Sequence, residues 1–307
     1  MRRYRSAGRL IASDIHLPAL TTVADSSVPD LVVCPGSVVD VGGSRDQHGW
    51  RYHAGALTLI VPGEVVLHID QGGGRITYDP AGSRLESLPA YICGSALGAA
   101  LQLAGSTVLH AGSVLVGDRA VLFLGAAGAG KSTIVAALAE RGHRVLCDDV
   151  ARLGMSNGAI TVAPDGRRLK LWEAAIGHLA LADRRGPRVI GGVPKYHVDV
   201  APPPAPGDEA FSHHPVSAIY ALAWAGSGQP RSAALRTAEI FANIMSNAYR
   251  PALVSVLGAQ MAYFDLAEAC ARTLTVRGLW RPPDFAVMDA VLDLVEIDLD
   301  TGGRADQ

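Results

Sequence analysis

The sequence predicts an α/β protein in three parts: a β-rich module over residues 1–85, an α/β core over 86–236 and a helical region over 237–300, closed by a polar tail at 301–307. Three observations predict it. Residues 1–85 alternate short β-prone runs with Pro-Gly, Gly-Gly and Asp-Pro breaks. The middle places an apolar run, a glycine-rich loop and an apolar-striped helical run in direct succession. The last third has helical periodicity, broken at Arg250-Pro251 and Pro282-Pro283.

Composition bounds the function. With 307 residues, 49% hydrophobic and 18% charged, the chain can bury a sizeable core. A net charge of −2 shows no global bias toward nucleic acid or an anionic membrane, so nucleic-acid binding is disfavoured. Cys34, Cys93, Cys147 and Cys270 are scattered without metal-ligand spacing and read as reduced thiols. Arg2, Arg3 and Arg5 are followed by a polar stretch where a signal peptide needs an apolar segment, so the expected compartment is the cytoplasm. Leu88 to Leu109 carries no charge and is long enough to span a bilayer. Its Pro, Ser, Gln and Gly residues favour instead a buried helix, Tyr91 to about Ala104, capped by Gly105 and leading into a strand.

In the amino-terminal module the strand candidates are Asp30–Cys34, Trp50–His53, Ala56–Val61, Glu64–Ile69 and Arg75–Tyr78, as a small, mainly antiparallel sheet. His48, His53, His68 and Asp70 fit no metal-ligand spacing and are read as surface or strand-face residues. The core then begins with Val108–Val116 and Ala120–Leu124 as strands linked by Gly117-Asp118-Arg119. Because Ala120–Leu124 is wholly apolar, it suits a parallel sheet buried on both faces.

The segment Gly125-Ala-Ala-Gly128-Ala129-Gly130-Lys131-Ser132-Thr133 follows that strand and opens a helix running to Arg141, which Gly142 caps. This is a phosphate-binding loop in its proper context. Its glycines let the backbone wrap an oxyanion, with helix-start N–H groups and the positive end of the helix dipole directed at it. Lys131 would reach the transferred phosphate of ATP, and the Ser132 hydroxyl would ligate Mg2+. His143–Cys147 forms the next strand and ends in Asp148-Asp149, where a carboxylate can hold the same metal. In extended chain neighbouring side chains face opposite ways, so one aspartate can serve the metal while the other faces an acceptor hydroxyl. The assignment taken is Asp148 for the proton and Asp149 for the metal, with the exchange left open.

Beyond this, Gly154–Gly158 reads as a turn and Ala159–Ala163 as a strand. Arg168 and Lys170 alternate with Leu169 and Leu171, which places both cations on one face, facing either phosphates or solvent. Ala174–Ala182 is helix-like. Residues 183–215, rich in Arg, Pro, Gly and His, read as a long, partly mobile connection in which Arg188 and Lys195 are candidates for a lid. Ala218–Trp224 is a further strand, and Thr237–Met245, Leu253–Leu266 and Asp284–Val295 are helical.

With His110-Ala-Gly112, the loop 125–133, Arg141-Gly142-His143 and Asp148-Asp149 in this order, the stretch 108–150 resembles the catalytic domain of HPr kinase/phosphorylase. The resemblance implies the HPr kinase/PEP carboxykinase-like fold, with ATP and Mg2+ as cofactors. It also implies an acceptor hydroxyl oriented or deprotonated by Asp148 or Asp149, with His110 beside the pair. Those kinases form hexamers, which makes a homo-oligomer an open expectation. Over its whole length the chain looks more like the HPr-kinase-like proteins of lasso-peptide biosynthesis, which share a β-rich front, a Leu-His-Ala strand start and an Arg-Leu-Lys-Leu-Trp segment, here Arg168–Trp172. Some of those act on a peptide's carboxyl-terminal serine.

The functional expectation is therefore a kinase acting on a hydroxyl, that of a peptide or protein serine, with Arg168 or Lys170 offsetting transition-state charge. A kinase of a nucleoside or polyol, and a nucleotide-binding regulator without turnover, are the competing expectations.

Overall fold

The computed structural model describes residues 1–38, 47–166, 168–189, 192–199 and 212–302. The amino-terminal module is a seven-stranded sheet of β1 (Arg2–Ser6), β2 (Arg9–Ser13), β3 (Leu31–Pro35), β4 (Gly49–His53), β5 (Ala56–Val61), β6 (Val65–Ile69) and β7 (Arg75–Tyr78). Its order is β1-β2-β3-β7-β6-β5-β4, antiparallel except where β3 runs parallel to both β2 and β7. The first hairpin was absent from the sequence reading. Its signal is alternation: Tyr4 and Ser6 are buried while the intervening arginines look outward. Ala7 and Gly8, both at positive φ, make the tight turn that joins the two strands. His68 lies on a strand face, its Nδ1 3.0 Å from the Thr58 hydroxyl.

The uncharged stretch forms α1 (Leu88–Tyr91), one π-helical turn (Ile92–Ala96) and α2 (Leu97–Leu103). Leu88, Ile92, Ala96, Leu97 and Ala100 are buried against the seven-stranded sheet, which explains why the segment needs no charges. Among the described residues no helix is long and apolar enough to cross a membrane.

The core follows as β8 (Thr107–Leu109), β9 (Gly112–Val116), β10 (Arg119–Leu124), α3 (Lys131–Glu140), β11 (Arg144–Asp148), β12 (Ala151–Ser156), β13 (Ala159–Ala163), β14 (Leu169–Trp172), α4 (Glu173–His178), β15 (Arg185–Arg188), β16 (Lys195–Val198), β17 (His214–Trp224) and β18 (Arg231–Ala234). It is completed by α5 (Thr237–Ser246), α6 (Pro251–Val256), α7 (Gln260–Thr273), β19 (Thr275–Arg281) and α8 (Met288–Gly302). A nine-stranded sheet runs β11-β9-β10-β17-β13-β12-β8, with β19 pairing both β17 and β18. Along β10 the side chains alternate: Val121 and Phe123 pack toward α3 and α8, and Ala120, Leu122 and Leu124 toward α5 and α7. Both faces of this strand are buried, which is the physical reason its sequence is apolar throughout.

Several expectations change. The strand expected over 108–116 is two strands, β8 and β9, separated at His110-Ala111. β11 points the same way as β10 but is not its neighbour, because antiparallel β9 lies between them. Gly154 to Ser156 continue β12, and only Asn157-Gly158 turn the chain, both at positive φ. The connection expected over 183–215 contains β15 and β16, which form a small separate sheet with β14 in the order β14-β16-β15; residues 190–191 and 200–211 lie outside the described residues. The carboxyl-terminal region is not helical throughout: β19 lies parallel to β17 within the main sheet, Ala218 opposite Thr275 through Trp224 opposite Arg281. Its short Thr-Val start is β-branched, a strand signal that the surrounding helical periodicity masked.

Candidate active site

The loop 125–130 leaves the end of β10 and enters α3, whose first residue is Lys131. Gly125 and Gly130 have to be glycine. Both have positive φ, and a Cβ on Gly130 would lie 2.1 Å from Arg281 Nη2. The Gly125 N–H donates to Asn247 Oδ1 at 2.8 Å, which pins the start of the loop to the end of α5. The Lys131 side chain folds back so that Nζ donates to the carbonyl oxygens of Gly125 (2.7 Å) and Ala126 (3.3 Å). Burial lowers its pKa, opposed by the nearby Asp149 and Asp148.

The two aspartates at the end of β11 occupy different environments. Asp148 is only 2% exposed. Its Oδ1 accepts from Ser132 Oγ at 2.6 Å, its Oδ2 accepts from the Lys170 N–H at 2.8 Å, and its own N–H donates to Asp165 Oδ2 at 2.9 Å. Burial and the neighbouring Asp149 raise its pKa. Asp149 turns out of the strand at φ 89°, so its carboxylate enters the cleft. There it takes an ion pair from Lys170 Nζ, and His110 Nε2 lies 3.3 Å from its Oδ1. Burial pushes its carboxyl up, but Lys170 and His110 outweigh that and hold it well below the usual carboxylate range.

His110 reaches this position because the chain breaks between β8 and β9, its N–H donating to the Asn247 carbonyl at 2.8 Å. Asn247 thus bonds both the glycine loop and His110, through its side chain and its backbone respectively. The resulting cleft, of about 320 Å3, is lined by Lys131, Lys170, Lys195 and Arg281 against Asp149 and Asp284. The excess of cations over carboxylates suits a polyanion.

The structure brings together Gly128, Gly130, Lys131, Ser132, Thr133, His110 and Asp149 as residues lining this cleft, with Asp148 beneath Ser132. Gly125 and Ala129 form the loop's frame. Arg168 does not join them: it precedes β14, so the strand alternation that would align it with Lys170 does not extend to it, and its Nε pairs with Asp199 at 3.0 Å. Of the two lid candidates, Lys195 lines the cleft, whereas Arg188 Nε bonds the Tyr196 hydroxyl at 3.2 Å outside it. Arg141 and His143 are fasteners between α3 and α8: Arg141 bonds Asp293 and Glu296, each at 2.7 Å, and His143 lies 2.9 Å from Glu296.

Four residues escaped the sequence reading: Asn247, Asp165, Trp224 and Arg281. Asp165 sits in a Pro-Asp-Gly sequence that reads as a plain turn, and Asn247 follows a helix that already carries Glu239, Asn243 and Ser246, so nothing singles it out. Nothing local to Trp224 or Arg281 marks them; their pairing across β17 and β19 makes them part of the site.

No family model matches the sequence, and no curated protein matches it. Among solved structures the chain is similar to the Hpr(Ser) kinase/phosphatase from Coxiella burnetii, at 18% identity and a TM-score of 0.34, over 65% of this chain and 94% of that one.

Proposed function

We propose that the protein is an ATP- and magnesium-dependent kinase that transfers the γ-phosphoryl group to a hydroxyl of a peptide or small protein. The observation that carries this reading is the division between the two aspartates beside a phosphate-type loop. Asp148 is bound to the loop's Ser132, while Asp149 faces the cleft between His110 and Lys170.

On this reading the loop amides and Lys131 hold the β- and γ-phosphates, Lys131 exchanging the loop carbonyls for phosphoryl oxygens. Ser132 and Asp148 would hold Mg2+, the reverse of the assignment taken from sequence. A hydroxyl and a buried carboxylate 2.6 Å apart are hard oxygen donors, and Mg2+ binds through one or two carboxylates plus phosphates and water. When bound, the ion neutralises charge on the β- and γ-phosphates. Asp149 accepts a hydrogen bond from the acceptor hydroxyl and orients it. As the new O–P bond forms and the bond to the β-phosphate oxygen breaks, the hydroxyl proton passes to Asp149 and ADP leaves. Lys170, in place of Arg168, offsets charge on the transferring group.

A second cavity of about 330 Å3, walled by Pro18, Ala19, Tyr91 and Arg188, shares Lys170 with the lining of the cleft. That space supports an acceptor longer than a nucleoside or polyol, such as a peptide ending in serine.

The test is phosphate transfer from Mg-ATP to a panel of carboxyl-terminal-serine peptides, polyols and nucleosides, read by mass spectrometry of the acceptors. The peptide class gains a phosphate, Asp149→Asn abolishes the gain while ATP still binds, and Asp148→Asn raises the Mg2+ requirement. Phosphorylation of a polyol or nucleoside alone overturns the peptide reading. ATP binding with no acceptor modified, and no effect of either variant, marks a regulator without turnover.

A further inference from the structure

The sheet order fixes which side of the loop each half of a bound nucleotide would occupy. The aspartates come from β11, two places from β10 on one side, whereas Trp224 and Arg281 come from the ends of β17 and β19 on the other. The transferred phosphate belongs beside Asp149, so the nucleoside belongs toward Trp224. This inference rests on the kinase reading, which supplies the nucleotide and sets its transferred phosphate beside Asp149.

The residues at that end are arranged as a platform. Trp224 is 47% exposed and lines the cleft. The Arg281 guanidinium lies 4.3 Å from the centre of its ring, covering one face. Arg281 itself is 4% exposed and fixed by donation from Nη2 to the Ala129 carbonyl at 3.0 Å. Its Nε is buried without a hydrogen-bond partner among the described residues. A buried guanidinium held by a ring and a loop carbonyl, with no ion pair to a carboxylate among the described residues, places positive charge at the loop. Both side chains also reach Gly130: a Cβ there would meet Arg281 Nη2 at 2.1 Å and the Trp224 ring at 3.7 Å. Pro283 and Phe285 extend the same apolar wall.

We propose that Trp224, held by Arg281, is the stacking surface for the base of the nucleotide, and that the Arg281 charge favours the phosphates that follow it. Stacking on an aromatic ring tolerates any base, because every base has a π-face. The site therefore selects a nucleotide over a bare polyphosphate more strongly than it selects among purines.

Binding of ATP and of inorganic triphosphate, measured by calorimetry and by quenching of tryptophan emission, tests this on the full chain. Trp224→Ala binds ATP about tenfold more weakly and triphosphate as the parent does, since base–aromatic stacking carries an effect of that order. Trp224→Phe restores most of the ATP affinity. Lys131→Ala weakens both ligands. Thermal melts of each variant confirm that it is folded. Equal ATP affinity in Trp224→Ala and the parent, with Lys131→Ala defective, overturns the platform and leaves the nucleotide reading standing. Equal affinity of the parent for ATP and triphosphate overturns it as well. Binding of neither ligand by the parent overturns both readings.

Discussion

Replacing Asn247 by alanine tests whether a residue from the end of α5 builds the loop that begins 122 positions earlier. The change removes the acceptor of the Gly125 N–H, a 2.8 Å bond that is fully buried. Leaving a buried backbone donor unsatisfied costs about 1–3 kcal/mol. The donation from Asn247 Nδ2 to the Asn243 carbonyl, 2.9 Å long, is lost with it. A loss near 2 kcal/mol is therefore expected in urea unfolding. With the first amide of the loop unpinned, inorganic triphosphate should bind about tenfold more weakly, equivalent to roughly 1.4 kcal/mol. Asn247→Asp sharpens the contrast. Its carboxylate still accepts from Gly125, yet it sets a negative charge by the loop. At an assumed 6 Å and an effective dielectric constant near 20, repulsion is about 3 kcal/mol per phosphoryl charge, so the aspartate variant should bind worse than the alanine one. An alanine variant within about 0.5 kcal/mol of the parent, or an aspartate variant that binds triphosphate normally, would refute the claim that this side chain organises the loop.

Two further outcomes follow from buried polar groups. Tyr263 is 1% exposed, and its hydroxyl donates to the Val108 carbonyl at 2.9 Å while accepting from the Val108 N–H at 3.2 Å. Tyr263→Phe strips the N–H of that partner and should cost about 2 kcal/mol in chemical denaturation, with unchanged nucleotide affinity; an equally stable variant would contradict this. Arg144 Nη2 lies 2.6 Å from His214 Nε2, and because a guanidinium only donates, that ring nitrogen must carry a lone pair. Burial first, then Arg144 and His213, lower the His214 pKa. The unfolded chain thus takes up the proton more readily, so this contribution to stability is present above the unfolded-state value near 6.5 and is lost as pH falls from there through the lowered folded-state value. His214→Gln, which can still accept from Arg144, should flatten the decline in unfolding free energy between pH 7.5 and 5.5; an identical slope would discount the histidine.

The parts of the site legible in the sequence are those whose physics is local. β10 is apolar at every buried position, the loop needs glycine where φ is positive, and α3 follows at once, so one stretch of chain carries the whole signal. Asp148 and Asp149 were visible as a pair, but their division of labour was not. Extended-strand geometry predicts opposite faces, whereas Asp149 leaves the strand at positive φ and Ser132 selects Asp148. Asn247, Trp224 and Arg281 were illegible because each arrives through the strand order or the end of a distant helix. Arg168 shows the reverse error, a periodicity argument extended one residue beyond the strand that justified it.

Asp165, which receives the Asp148 N–H, is bracketed by backbone bonds from the amino-terminal module: Ala7 N–H to the Pro164 carbonyl, Thr21 N–H to that of Gly166, and Arg168 N–H to that of Ala19. The front sheet is therefore a bearing surface for the aspartate end of β11, and its alignment is set by main-chain atoms that every substitution except proline leaves in place. A chimera that exchanged residues 1–85 for another front module would have to import residues 164–168 in the same graft, since the two segments share one hydrogen-bonded seam. Ancestry should record the same linkage: insertions and deletions in descendants of this chain are expected to spare both sides of that seam together.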